Sequence, residues 1–160
     1  MSNVLKIAEV IDLGIEKEIA RRDFYGRVAE AFEDDELKSL FSRLHDWEDA
    51  HIKKFRSFRG RLDDVQLTET YPGEMKSYMD TLVSQKLYSE VSADSFSKTV
   101  QDPVTAIDTG IQFEKDAILF FMELIPFVQG EDKSVIEELI AEERKHILYL
   151  IGLKRKHKNG

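Results

Sequence analysis

Shifted against itself by 96 residues, the chain places Asp12 on Asp108, Gly14 on Gly110, Ile15 on Ile111, Glu18 on Glu114, Phe24 on Phe120 and Tyr25 on Phe121. Shifted by 95, Glu48 falls on Glu143 and His51 on His146. Apolar matches alone would mean little, because every amphipathic helix repeats apolar residues at steps of three and four. Here the polar exceptions to the apolar pattern match as well. An internal repeat of this kind predicts two equivalent structural halves, with a one-residue difference taken up in a loop.

The breakers show what each half is made of. Asp34-Asp35, Gly60, Tyr71-Pro72-Gly73, Asp102-Pro103, Pro126 and Gly130 cut the chain into long blocks of helical periodicity. With eight Gly and three Pro in 160 residues, long helices meet few obligatory breaks. Helices are expected at about 4–33, 35–59, 103–125 and 131–156. Asp34 and Asp102 stand at N-caps, and Pro103 takes a first helical position where its missing N–H matters little. Proline ends the third helix because it removes an intrahelical bond and clashes one turn back. Residues 61–103 read as a crossover with an accessory helix at about 74–91. Two short connections and one long one predict an all-α single domain over 1–160, a four-helix bundle with one crossover.

The composition narrows the partners. Lys and Arg number 23 against 31 Asp and Glu, a formal charge of −8, which argues against nucleic acid because such binding needs a basic face. The basic run Lys154-Arg155-Lys156-His157-Lys158 is expected to complement the carbonyl end of a terminal helix. With no apolar run long enough to span a bilayer, and no early apolar segment after a basic start, a soluble cytoplasmic protein is expected, without a membrane partner. The chain has no Cys, so disulfides, thiolate metal sites and thiol nucleophiles are excluded.

The chemistry lies in the polar exceptions. Glu18 and Arg22 interrupt the stripe Ile11, Ile15, Tyr25, Ala29, Phe32; Glu48 and His51 interrupt that of the second helix; Glu114 that of the third; Glu143 and His146 that of the fourth. An ionised carboxylate in an apolar core costs several kcal/mol or more unless it is neutralised, paired or bound to metal. The histidines are the basic groups expected in that layer, unless Arg22 turns inward, so charge balance calls for cations. Glu and His at i and i+3 share a helix face. A Glu from each of two helices plus Glu-x-x-His from each of the other two is the ligand pattern of di-iron and di-manganese carboxylate bundles. Iron or manganese suits mixed carboxylate and imidazole donors.

Through Glu18-x6-Tyr25, Glu48-Asp49-Ala50-His51, Glu114-x6-Phe121 and Glu143-Arg144-Lys145-His146, the chain resembles the rubrerythrin-like di-iron proteins of the ferritin-like superfamily. The resemblance covers the four main helices. It implies two Fe ions, with Mn or a mixed Fe/Mn pair as alternatives, Glu48 and Glu143 as bridging ligands, Glu18 with His51 serving one ion and Glu114 with His146 the other. Tyr25 resembles a tyrosine whose hydroxyl bonds a ligand carboxylate. The chain departs from the family in having Phe121 in place of a second tyrosine, which implies inequivalent metal environments. It also has Ala117 and Ile118 where rubrerythrins carry a further glutamate, and no Cys for a rubredoxin-type centre.

The resemblance implies an oxidoreductase that reduces hydrogen peroxide or dioxygen; without Cys its electrons are expected from a separate donor protein, and a homodimer is the default expectation. Alternatives are a ferroxidase serving iron storage or detoxification and, from another class, a metal-binding or metal-sensing bundle without turnover. Gly14 and Gly110 are expected at close backbone approaches, between helices or at a subunit contact. Glu142 is expected to be solvated, pointing about 100° away from Glu143. Trp47, Phe55, Phe58, Met75, Met79 and Met122 are expected to serve packing, and His45 to be partly exposed or to act behind the ligands.

Overall fold

The computed structural model describes residues 7–60, 77 and 100–159. Among them the chain is all-helical: α1 (Ile7–Ala31), α2 (Asp35–Gly60), α3 (Pro103–Leu124), a single 3-10 turn (Ile125–Phe127) and α4 (Gly130–Asn159). Apart from Ser77, which is helical, the accessory helix expected at 74–91 lies outside the described residues, as do Met75 and Met79.

The helix starts follow the expected capping chemistry. Leu37 N–H donates to Asp34 Oδ1 at 2.8 Å, and Thr105 N–H donates to Asp102 Oδ1 at 2.8 Å, each satisfying a donor that the first turn leaves open. α1 ends two residues earlier than the periodicity implies, at Ala31. Lys38 Nζ from α2 donates to Ala29 O at 2.6 Å there, closing the α1 carbonyl end from the next helix. Pro126 sits in the 3-10 turn and Gly130 opens α4 at φ 59°, a left-handed conformation that glycine adopts without steric cost. α4 runs to Asn159 with Lys156, His157 and Lys158 in its last turn, where cations oppose the helix dipole. Lys154 also reaches Asp108 on α3 at 2.6 Å, and Lys156 pairs with Glu36 on α2.

Side-chain pairs fix the directions. Arg59 meets Asp12 and Arg22 meets Asp49, so α2 runs antiparallel to α1. Lys154 meets Asp108 while His146 meets Glu114, so α4 runs antiparallel to α3. Gly14 faces Phe120 and Tyr25 faces Gly110, so α1 and α3 are antiparallel neighbours; Glu36 with Lys156 and Lys54 with Glu138 give the same result for α2 and α4. It follows that α2 and α3 run parallel, with the end of one and the start of the other at opposite ends of the bundle.

The apolar interior is split. One cluster gathers Val10, Ile11, Ile15, Phe55, Phe58, Phe120, Phe121 and Leu124; the other gathers Phe24, Tyr25, Phe41, Leu44, Ile107, Phe113 and Leu150. Between them lies a layer of buried polar side chains. The two glycines support this packing from inside the bundle. A Cβ on Gly14 would stand 2.6 Å from Phe120 Cε1, and one on Gly110 would stand 3.3 Å from both Tyr25 and Leu150. Both close approaches are between helices.

Candidate metal centre

Glu18 from α1, Glu48 and His51 from α2, Glu114 from α3, and Glu143 and His146 from α4 all meet in the polar layer, each at most 4% exposed. Their donor atoms form two overlapping quartets, Glu18–Glu48–His51–Glu143 and Glu48–Glu114–Glu143–His146, with the atoms of each within 4.8 Å of one another. Glu48 and Glu143 belong to both. Glu48 turns Oε2 toward His51 Nδ1 (3.4 Å) and Oε1 toward His146 Nδ1 (3.4 Å). Glu143 turns Oε1 toward His51 Nδ1 (2.7 Å) and Oε2 toward His146 Nδ1 (3.6 Å). Each central carboxylate thus presents one oxygen to each half, and both histidines face the centre through Nδ1.

No family model, curated protein or solved structure matches the chain. Its own geometry therefore has to carry the chemistry. Glu18 Oε2, Glu48 Oε1, Glu114 Oε2, Glu143 Oε2 and His146 Nδ1 are buried without a hydrogen-bonded partner, and Glu18 Oε1, Glu143 Oε1 and His51 Nδ1 make close contacts, to Arg21 and to each other, that lack hydrogen-bond geometry. Buried polar atoms in native proteins are nearly always satisfied, and carboxylate oxygens facing imidazole nitrogens form a donor set of the kind that binds divalent transition metals. The buried Glu and His clusters can hold a metal ion, and the residues fit a carboxylate–imidazole centre.

The surrounding side chains hold these donors in place. Tyr25 Oη donates to Glu114 Oε1 at 2.6 Å and also reaches Gly110 O at 3.4 Å. His51 Nε2 contacts Glu142, which is half-buried and also near Lys54. This corrects the expectation of a solvated Glu142. Although it points away from Glu143 on α4, that direction leads to α2 and to His51. A carboxylate accepting from Nε2–H sets the tautomer that leaves Nδ1 as a lone-pair donor toward the centre. Trp47 also does more than pack. Its ring lies 5.0 Å from that of His146 at 10°, and that of Tyr149 also stacks with it, at 5.6 Å and 28°. A cavity of about 300 Å3 opens here, lined by Trp47, His51, Lys54, Glu142, His146 and Tyr149 among others. His45 takes no part: it is partly exposed, with Nδ1 3.0 Å from Asp46. Met122 is half-exposed on α3.

The residue that periodicity misplaces is an arginine. Arg22 points sideways, with Nη1 2.9 Å from Asp49 and Nε 3.1 Å from Asp23. Arg21, 1% exposed, is the cation in the layer. Its Nη2 is 2.5 Å from Glu18 Oε1 and donates to Glu48 Oε2 at 3.4 Å, and its Nη1 donates to Phe113 O at 3.3 Å. The reason is geometric. α1 touches both α2 and α3, so it buries two adjacent stripes, one with Ile11, Ile15, Glu18 and Tyr25 and a second with Val10, Gly14, Lys17, Arg21 and Phe24. A single heptad stripe contains only the first.

The electrostatics follow from this crowding in the metal-free protein. Burial, helped by the neighbouring carboxylates against the pull of Arg21, raises Glu18 well above the usual carboxylate range. Burial would also raise Glu48, but Arg21, Glu18 and the two histidines outweigh it and hold this carboxyl well below that range. Burial alone would lower both histidines; contacts with Glu142, Glu143 and Glu48 raise His51, and Glu143 and Glu48 bring His146 up to about 9. Burial pushes Lys17 down to about 8, against the attraction of Asp116.

Proposed function

We propose that this chain is a dinuclear iron carboxylate redox protein of the rubrerythrin-like, ferritin-like kind. In this reading it reduces hydrogen peroxide or dioxygen with electrons from a separate donor protein. The observation that carries the reading is the orientation of Glu48 and Glu143, each with one oxygen toward each histidine. That is the arrangement needed for two carboxylates shared between two ions, Glu18 and His51 completing one ligand set and Glu114 and His146 the other. Iron held there would supply redox chemistry toward a small oxidant, with manganese as the alternative ion.

The protein's own groups have defined parts in this reading. Tyr25 fixes the Glu114 carboxylate, Glu142 fixes the His51 ring, and Trp47 fixes the plane of His146. The apolar clusters on either side of the layer keep bulk water from the centre. The cavity beside Trp47 and His146 brings a small molecule to the edge of the site. Parallel α2 and α3 are what a single long crossover joins, with the accessory helix placed within it. Among the described residues no helix is long and apolar enough to cross a membrane; separately, the chain is read as cytoplasmic and its assembly as a homodimer.

Ferroxidase activity serving iron storage or detoxification uses the same donors and is the first alternative. A binding or sensing bundle without turnover is the second, and the buried Arg21 favours it in one respect: it already neutralises part of the carboxylate charge. The test is to load the protein with Fe(II) without oxygen, add hydrogen peroxide and a reductant, and follow peroxide loss. Steady consumption supports the oxidoreductase, a single round of iron oxidation with mineral formation the ferroxidase, and tight binding with no consumption the sensing bundle.

A further inference from the structure

The two halves of the layer are unequally prepared for a cation. Four carboxylates, Glu18, Glu48, Glu114 and Glu143, meet there, and Arg21 supplies one positive charge at the Glu18 end. Its guanidinium contacts Glu18 Oε1 at 2.5 Å and donates to Glu48 Oε2, the oxygen turned toward His51, at 3.4 Å, with Nε also 3.4 Å from Glu48 Oε1, so it engages two side chains of the Glu18–Glu48–His51–Glu143 quartet and, in the other, the shared Glu48 alone. In the other quartet the outer carboxylate, Glu114, is held by the neutral hydroxyl of Tyr25. The repeat sharpens the contrast: the position equivalent to Arg21 beside Glu114 is Ala117, 96 residues on. Charge balance points the same way. Four carboxylates and two divalent ions would sum to zero, whereas Arg21 adds a fifth positive charge once both ions are bound, and that excess lies at the Glu18 end where the guanidinium sits.

We propose that Arg21 is an internal competitor for one of the two metal positions. The Glu48–Glu114–Glu143–His146 quartet, which Glu48 enters through Oε1, takes a divalent cation first, and the Glu18–His51 half takes a second only as the guanidinium leaves Glu18 Oε1 and Glu48 Oε2. Arg21 is a positioning residue in this scheme, setting the order and stoichiometry of loading. The inference rests on the dinuclear reading above but makes a separate claim, that the two positions differ in affinity and that Arg21 is the cause.

The experiment is an anaerobic titration of the chelator-treated full chain with Co(II), followed by its visible absorption and by equilibrium dialysis with elemental analysis. The expected result is one tightly bound Co(II), with a second about 100-fold weaker, and a gap that shrinks to about 10-fold or less in Arg21→Gln, since no buried charge then has to be separated from its partners to admit the second ion. In the unaltered Arg21 background, His146→Ala should remove the tight Co(II) while His51→Ala leaves it, so the proposal remains testable if Arg21→Gln does not fold. Two ions of equal affinity in the wild-type protein would overturn the role of Arg21 while preserving the dinuclear reading. One ion in both the wild type and Arg21→Gln would overturn it too, as would a tight ion lost with His51→Ala and retained with His146→Ala. Absence of Co(II) binding in every form would overturn the dinuclear reading and the inference with it.

Discussion

Glu18 and Glu114 occupy equivalent places in the repeat, yet they are held by opposite means. Glu114 accepts a hydroxyl bond from Tyr25 across the α1–α3 contact, while Glu18 is paired with a guanidinium one turn along its own helix. The repeat partner of Tyr25 is Phe121, which has no hydroxyl and stacks on Phe55 instead. The repeat partner of Arg21 is Ala117. Both the neutral donor and the fixed charge thus come from α1 and act on opposite outer carboxylates, while α3 supplies neither at the matching positions. A duplicated scaffold can keep its six donors and still give the two positions different affinities, because affinity also depends on the groups that orient and neutralise those donors.

The largest test of this comparison removes what the halves share. Glu48→Ala or Glu143→Ala takes an oxygen from both quartets, so both metal positions and peroxide consumption should be lost, as read by elemental analysis and by a peroxide assay. Survival of either activity or full binding in both variants would mean that the centre lies elsewhere. The corresponding change to an outer carboxylate should affect only its own half, Glu114→Ala the tight position and Glu18→Ala the weak one.

Tyr25→Phe gives a smaller effect confined to one side. It removes the 2.6 Å bond to Glu114 and makes the two halves alike in having phenylalanine at this place. Loss of such an orienting bond typically weakens metal affinity about 10–100-fold. The loss should fall on the Glu114–His146 position, narrowing the gap to the other site in a Co(II) titration. An unchanged affinity there would show that the hydroxyl does not position the carboxylate.

Protonation distinguishes the metal-free from the metal-loaded layer. His146 has a folded pKa of about 9 against an ordinary value of 6.5, so the folded metal-free protein holds a proton that the unfolded chain releases. Its contribution is complete below pH 6.5 and falls as pH rises toward 9, and the raised Glu18 acts with the same sign. Lys17, lowered to about 8, opposes this only above pH 8. Between pH 6.5 and 8 the metal-free protein should therefore lose roughly 1–2 kcal/mol from His146. The metal-loaded protein should gain stability over the same range, because protons and cations compete for the same Nδ1 and carboxylate atoms. Denaturant melts of both forms at several pH values check the sign, and parallel slopes would contradict the assignment.

The sequence makes the six donors legible for a physical reason: a charged or imidazole side chain on an apolar helical stripe is conspicuous, and a second copy removes the suspicion of chance. Caps and breakers are equally local, which is why Asp34, Asp102, Pro103 and Gly130 place the helix starts to within about a residue. What periodicity misses depends on which helix faces which. Arg21 lies on a second buried stripe that exists only because α1 touches two neighbours. Glu142 turns from one ligand pair straight toward another helix. Trp47 lies beside His146 only through the antiparallel pairing of α2 and α4. These contacts are set by tertiary packing, and no spacing along one helix encodes them.

The two glycines carry the comparison into the packing that supports the layer. They are repeat partners, so an equal response to alanine would be expected if the halves were equivalent. A Cβ at Gly14 would meet Phe120 Cε1 at 2.6 Å, in a ring that is 1% exposed and cannot swing away; one at Gly110 would meet Leu150 Cδ1 and Tyr25 Cε1 at 3.3 Å, which small shifts relieve. Alanine gains about 1 kcal/mol over glycine within a helix, and overpacking a core costs about 1–3 kcal/mol. Gly14→Ala should therefore be destabilising by about 1 kcal/mol and Gly110→Ala close to neutral in thermal melts. The second variant should show its effect in metal binding instead, because the shift asked of Tyr25 moves the hydroxyl that holds Glu114. If Gly110→Ala leaves Co(II) affinity unchanged while Gly14→Ala lowers it, the ring of Tyr25 is not the link between packing and the centre, and the difference between the halves rests on Arg21 alone.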